Sequence, residues 1–128
     1  MKVNSDPRHQ HRAQLMQQLY AWNFQTQTKP KNAEVKAIVD QHQLIDQWIS
    51  ESAPNRPINQ INKIDLAILR LATYELMIDK SAPVKVIIDE AIELAKEYGS
   101  EQSSAFINGA LGNLVALQTL GGQDTIRQ

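Results

Sequence analysis

The chain has 128 residues, a formal net charge of −1 and no cysteine, and this length fits one compact domain. The lack of cysteine excludes disulfides and thiolate metal sites, and the near-neutral charge excludes a globally basic nucleic-acid-binding protein. No apolar run is long enough to span a membrane, and the polar stretch from Lys2 to Gln14 does not resemble a signal peptide, so we expect a cytoplasmic protein.

The first half of the chain shows two helical patterns. Asp6 and Pro7 predict a helix start, because an N-cap acid precedes a proline at the first helical position. Apolar residues follow at helical spacing, namely Leu15, Met16, Leu19, Tyr20, Trp22 and Phe24. Pro30 interrupts this pattern, and a second helix is predicted from Ala33 to about Ser52. The loop "SAPNRP" (52–57) then marks the best internal boundary.

The second half shows three further helical patterns. The first has one apolar face, formed by Ile61, Ile64, Ile68, Leu71, Ala72 and Leu76. Pro83 opens the next helix, and Gly99 is predicted to end it in a left-handed conformation. Ser100 or Ser103 is predicted to cap the last long helix. No strand pattern competes, so the sequence predicts an all-α protein of about five principal helices.

The predicted organisation is a single domain over residues 1–128. Residues 1–55 form an N-terminal helical half, residues 56–120 form a C-terminal helical bundle, and residues 121–128 are expected to be a frayed tail.

The amino end is locally basic. Lys2, Arg8 and Arg12, with two histidines, stand against one acid in the first twelve residues. Arg8 and Arg12 are four residues apart and therefore share a helix face, where they can neutralise phosphates. The alternative is an ordinary solvated helix end.

Aromatic residues near such a patch can stack on unpaired bases. Tyr20 and Phe106 are the candidates for this role, whereas Trp22 is interpreted as a core residue. Phe106 also has a structural interpretation, in which its ring is part of the core and Gly109 marks close helix packing.

Acidic residues receive structural interpretations. Glu75 lies within an apolar face, where we expect it to accept hydrogen bonds from an arginine or a helix N-terminus rather than to act as a general acid. The helix after Pro83 has an acidic side, formed by Asp89, Glu90, Glu93 and Glu97, which is interpreted as a solvated or partner-docking face. Because no positioned nucleophile, base or metal-ligand set is visible, we predict no enzyme activity, no metal and no cofactor.

Four segments in the same order resemble the NusB family of bacterial transcription antitermination factors. They are "LYAW" (19–22), "ILRLATYEL" (68–76), "APVKVIIDEAIELAKEYGSE" (82–101) and "FINGAL" (106–111). The resemblance implies an all-α fold of two small packed helical bundles. Between Gln25 and Val35 the chain is shorter than is usual in that family, so we expect its N-terminal bundle to lack one helix.

The resemblance also implies RNA binding without catalysis. Members of the family pair with NusE, a small-subunit ribosomal protein, and bind the boxA element of nascent RNA. They thereby help the RNA polymerase elongation complex to read through terminators, notably in ribosomal RNA operons. Carried over by position, Arg8, Arg12, Tyr20 and Phe106 are the expected RNA-binding residues. Asp65 and again Tyr20 are the expected partner-binding residues, on the side that faces NusE.

Three alternatives remain open. The basic motif is thinner than is usual in the family, which favours a helical protein-interaction adaptor that has lost most RNA binding. A NusB-like domain also precedes the catalytic domain of some RNA methyltransferases, but no Gly-rich strand–turn–helix for a methyl donor is present in this sequence. Self-association as a homodimer is the third alternative.

Overall fold

The structure is a computed structural model that describes residues 6–127, with side chains up to residue 119. Within this part of the chain there are six α-helices and no strand, which confirms the all-α prediction. The helices are α1 (Pro7–Trp22), α2 (Ala33–Asp40), α3 (His42–Ser52), α4 (Lys63–Tyr74), α5 (Val84–Tyr98) and α6 (Ser103–Arg127). A 3₁₀ turn (Ile58–Gln60) precedes α4, and a π-helical turn (Glu75–Asp79) follows it.

Helix α1 begins as its sequence predicts. The Asp6 carboxylate accepts a 2.8 Å hydrogen bond from the backbone N–H of Arg8, and Pro7 occupies the first helical position. Proline fits there because its missing N–H would have no partner inside the helix.

Helix α4 is the centre of the fold. Every residue from Asp65 to Thr73 is buried, because α1, α3, α5 and α6 all pack against this one helix. The sequence predicted a single apolar face, so burial on all sides is a correction. Polar residues in a helix that is enclosed in this way are costly unless they are paired. Arg70 meets this requirement, since it donates two 2.9 Å hydrogen bonds to Asp46 of α3 and one of 2.8 Å to Asn23.

The single helix predicted from Ala33 to about Ser52 is in fact two. The backbone leaves helical geometry at Gln41, where φ is −106° and ψ is 12°. At this break His42 Nδ1 donates to the carbonyl oxygen of Val39 at 2.8 Å, which satisfies an acceptor that a continuous helix would have used. The loss of one helix from the family's N-terminal bundle stays a prediction.

The carboxyl ends of α5 and α6 also differ from the sequence prediction. Gly99 is extended rather than left-handed, with φ −93° and ψ −168°. Its small size is needed instead, because a Cβ there would lie 2.6 Å from Ser103 Cβ and 2.8 Å from the carbonyl oxygen of Ala95. The backbone of residues 121–127, which was predicted as a frayed tail, continues α6 as far as Arg127, and Gln128 lies outside the described residues.

In the part of the chain that the structure describes, no helix has the length and apolar character needed to cross a membrane. Among the same residues, no three or more His, Cys, Asp or Glu side chains are grouped so that they could hold a metal ion.

Candidate nucleic-acid interface

Arg12, a predicted RNA-binding residue, is held by an intramolecular ion pair. Its Nε lies 3.1 and 3.0 Å from the two carboxylate oxygens of Glu75, and its Nη2 lies 2.8 Å from Oε1. The two side chains are only 14% and 12% exposed, and Glu90 lies 3.6 Å from the same guanidinium. The hydrogen bonds that Arg12 donates to Glu75 raise the pKa of Arg12. The structural interpretation of Glu75 is therefore confirmed, with Arg12 as its partner.

His9 is likewise used inside the fold. It is buried, with Nδ1 3.2 Å from Glu90 Oε1 and Nε2 2.6 Å from Glu97 Oε1. Two of the acids that α5 was expected to present to solvent or to a partner therefore hold α1 in place. The buried histidine does not contribute to a basic surface.

Arg8 and His11 of α1 are near acids as well. The Arg8 side chain is 84% exposed and pairs with Asp6 at 3.1 Å. His11 Nε2 lies 3.0 Å from Glu34. Both residues border a cavity of about 530 Å³, whose lining includes three carboxylates, those of Glu34, Glu75 and Asp79. The local charge is therefore mixed rather than strongly positive. Lys2 lies outside the described residues.

The aromatic residues of α1 lie near its carboxyl end. Tyr20 is half-buried and makes an edge-to-face contact with the exposed ring of Phe24, with centroids 5.1 Å apart. Trp22 is buried, which confirms its interpretation as a core residue.

Phe106 lies elsewhere, on the first turn of α6 beside the α3–α4 connection. Its half-buried ring has the Arg56 guanidinium above it, with Cζ 4.1 Å from the ring centroid. The two side chains border a cavity of about 320 Å³. The cavity is lined by Ser52, Ala53, Pro54, Asn55, Arg56, Ala105, Phe106, Gly109, Ala110 and Asn113. Arg56 is the only charged residue in this lining.

Asp65 is nearly inaccessible, although it is an expected partner-binding residue. Asp65 is only 3% exposed, and its Oδ1 has no hydrogen-bond partner within the described part of the chain. Burial raises the pKa of Asp65, and a hydrogen bond to the Ser103 side chain and the charge of Arg56 oppose this effect.

The structure does not gather the predicted RNA-binding residues into one cavity. Arg8 and Arg12 border the cavity at the amino end, Tyr20 pairs with Phe24, and Phe106 borders the cavity near Arg56. Sequence reasoning missed Arg56, because the segment "SAPNRP" was read only as a boundary loop. The signal that could have identified Arg56 is its position between Pro54 and Pro57, at the predicted start of the C-terminal bundle.

Comparisons with known proteins agree with the fold. The sequence profile of the NusB family matches residues 31–116. Transcription antitermination protein NusB of Chloroflexus aggregans is 52% identical over 73 residues, which cover 56% of this chain and 49% of that protein. The protein of the same name from Clostridium novyi is 45% identical over 84 residues, which cover 66% and 63%. The chain thus matches about half to two thirds of the length of these relatives.

Solved structures give the same result. T. maritima NusB superposes with a TM-score of 0.74 at 32% identity, over 89% of this chain and 92% of that one. A chain in the crystal structure of a plectonemic RNA supercoil has the same TM-score at 22% identity, over 88% and 96%, and this likeness concerns the fold alone. With two thirds of its length matched by the family profile and 89% of it superposed on a solved member, the chain belongs to the NusB family.

Proposed function

We propose that this protein is a non-catalytic, RNA-binding transcription antitermination factor of the cytoplasm. With NusE it would bind boxA RNA and promote read-through by the RNA polymerase elongation complex, notably in ribosomal RNA operons. The observation that carries this proposal is the family match over residues 31–116, together with relatives that are named transcription antitermination proteins.

The described residues support particular roles within this function. Phe106 offers a half-buried ring beside a cavity, and Tyr20 offers a half-exposed ring next to Phe24. Exposed Arg8 is available to a phosphate at the cost of a surface ion pair, which contributes little to stability. Arg12 was predicted in the same role, but its bidentate pair with Glu75 favours an indirect one, in which it fixes the orientation of α1. Asp65 and Tyr20 remain the proposed NusE-facing residues.

A titration of labelled boxA RNA tests the proposal. Fluorescence anisotropy should show weak binding by this protein alone and tighter binding when NusE is present, because two joined weak sites bind one RNA cooperatively. A scrambled RNA of equal length is the control, since nonspecific phosphate contacts do not depend on sequence. Equal affinity for boxA and the scrambled RNA, with NusE present and at low salt, would contradict RNA recognition.

One observation favours the second candidate, a protein-interaction adaptor that has lost most RNA binding. In the described part of α1, each predicted phosphate-binding cation has a carboxylate partner, Asp6 for Arg8 and Glu75 for Arg12. A complex with NusE on size-exclusion chromatography, without any boxA shift, would select the adaptor. The same column distinguishes a heterodimer with NusE from a homodimer of this chain.

A further inference from the structure

Arg56 differs from the other arginines whose side chains the structure describes. Arg8, Arg12 and Arg70 are paired with Asp6, Glu75 and Asp46, respectively, at 2.8 to 3.1 Å. Arg56 is exposed, and within the described residues no carboxylate lies within 4 Å of it. Its guanidinium is instead supported by the face of Phe106.

This arrangement leaves the hydrogen-bonding capacity of the guanidinium free. A cation above an aromatic ring is attracted by the ring's negative face, but the ring does not accept in-plane hydrogen bonds from the N–H groups. The five donors of an arginine form a planar fork that matches the oxygens of a phosphate. Arg56 is thus held in place without its fork being occupied by a carboxylate.

The surroundings of Arg56 also suit a ligand in which an anionic group is joined to a flat ring, as a phosphate is joined to a base in a nucleotide. The cavity below it is lined by no acid and contains one aromatic ring and two amides, those of Asn55 and Asn113. Asn113 already donates to the carbonyl oxygen of Ser52 at 3.0 Å, which joins the two walls of the cavity. By contrast, the cavity near Arg12 has three carboxylates in its lining.

We infer that Arg56 is an RNA-binding residue, which contacts a phosphate of single-stranded RNA while the adjacent base enters the cavity beside Phe106. This inference rests on the proposed function and adds to it. It adds a phosphate-binding arginine on the α3–α4 connection to the one proposed on α1, Arg8. Phe106 then has two roles, because it contacts the base and also orients the guanidinium.

Three single substitutions test the inference in anisotropy titrations with labelled boxA RNA and NusE. Arg56→Gln should weaken binding about ten-fold, as expected for loss of a charge-assisted hydrogen bond. It should also reduce the slope of log affinity against log salt by about 0.7, the value for one phosphate of a single strand. Phe106→Leu should weaken binding by a similar factor and change the salt slope less, since base stacking is not ionic.

Lys85→Gln is the matched control, because it removes one positive charge from an exposed side chain on α5 whose one ion pair among the described residues is with Asp89. Circular dichroism melts of all three variants establish that they are folded. If Arg56→Gln binds RNA as Lys85→Gln does, with the same salt slope, Arg56 is not an RNA contact, and the proposed function stands without it. If the unaltered protein with NusE does not prefer boxA, both the function and this inference are overturned.

Discussion

Among single residues, Asp65 shows the clearest conflict between stability and a proposed role. A buried carboxylate oxygen without a hydrogen-bond partner is costly, because water solvated it in the unfolded chain. Burial raises the pKa of Asp65, so the folded state favours the protonated form. Above the raised pKa the ionised carboxylate therefore lowers the free energy of unfolding, and this cost disappears as the pH falls through that value.

We expect Asp65→Asn to increase the free energy of unfolding by about 1 kcal/mol at neutral pH, because it removes a buried charge but keeps the shape of the side chain. The gain should shrink as the pH is lowered, since protonation then neutralises Asp65 in the unaltered protein. Urea denaturation at several pH values measures both effects. Asp89→Asn, at an exposed position of α5, is the control and should show no such trend. A gain that does not depend on pH would contradict the electrostatic explanation.

The type of a residue predicted its local role better than it predicted which distant residue it contacts. A carboxylate within an apolar face is costly unless it is paired, and Glu75 is paired as the sequence predicts. Its partner, Arg12, is 63 positions away in the chain, so no local pattern could identify it. The same limit explains Arg56 and Phe106, which meet only because α6 packs against α3. Charge, the four-residue spacing to Arg8 and the family resemblance made Arg12 a candidate for RNA binding, whereas its guanidinium is paired with Glu75 inside the fold.

At the level of the helices, the sequence predicted where the first helix begins but not how the helices end. Asp6 and Pro7 act through bonds to the next few residues, so the first helix could be predicted from them. The end of α5 depends on packing, because Gly99 is required by the nearby Ser103 of the next helix rather than by its own backbone angles. The break at Gln41 was missed for a similar reason, since the apolar pattern on both sides of it is helical.

The turn between α5 and α6 supports a direct test. Gly99→Ala should lower the free energy of unfolding by about 2 kcal/mol, because the new Cβ would overlap Ser103 and a backbone oxygen of α5. Gly112→Ala is the matched control within α6, where nothing lies within 4 Å of the added Cβ. It should raise stability by roughly 0.8 kcal/mol through helix propensity alone. Thermal melts of both variants give the comparison, and equal effects of the same sign would disprove the steric argument.

In the whole molecule, α1 is joined to the second half of the chain by charged side chains as well as by its apolar stripe. His9 contacts Glu90 and Glu97 of α5, and Arg12 contacts Glu75 directly after α4. These residues belong to segments that are 60 to 90 positions apart in sequence, so the contacts stabilise only the complete fold. The amino end is therefore part of the scaffold, and a substitution there can impair RNA binding by unfolding α1 rather than by removing a contact.

Arg12→Ala and Arg8→Ala separate these two effects. Arg12→Ala should lower the free energy of unfolding by about 2 kcal/mol, because Glu75 would remain largely buried without its bidentate partner. Arg8→Ala removes an exposed side chain whose one ion pair within the described part of the chain is with Asp6, so we expect no measurable change in stability. Urea denaturation measures the difference. RNA titrations at a temperature where both variants are fully folded then show whether either arginine also contacts RNA. If Arg12→Ala is as stable as Arg8→Ala, the ion pair with Glu75 does not support the fold, and Arg12 becomes available again as a phosphate-binding residue.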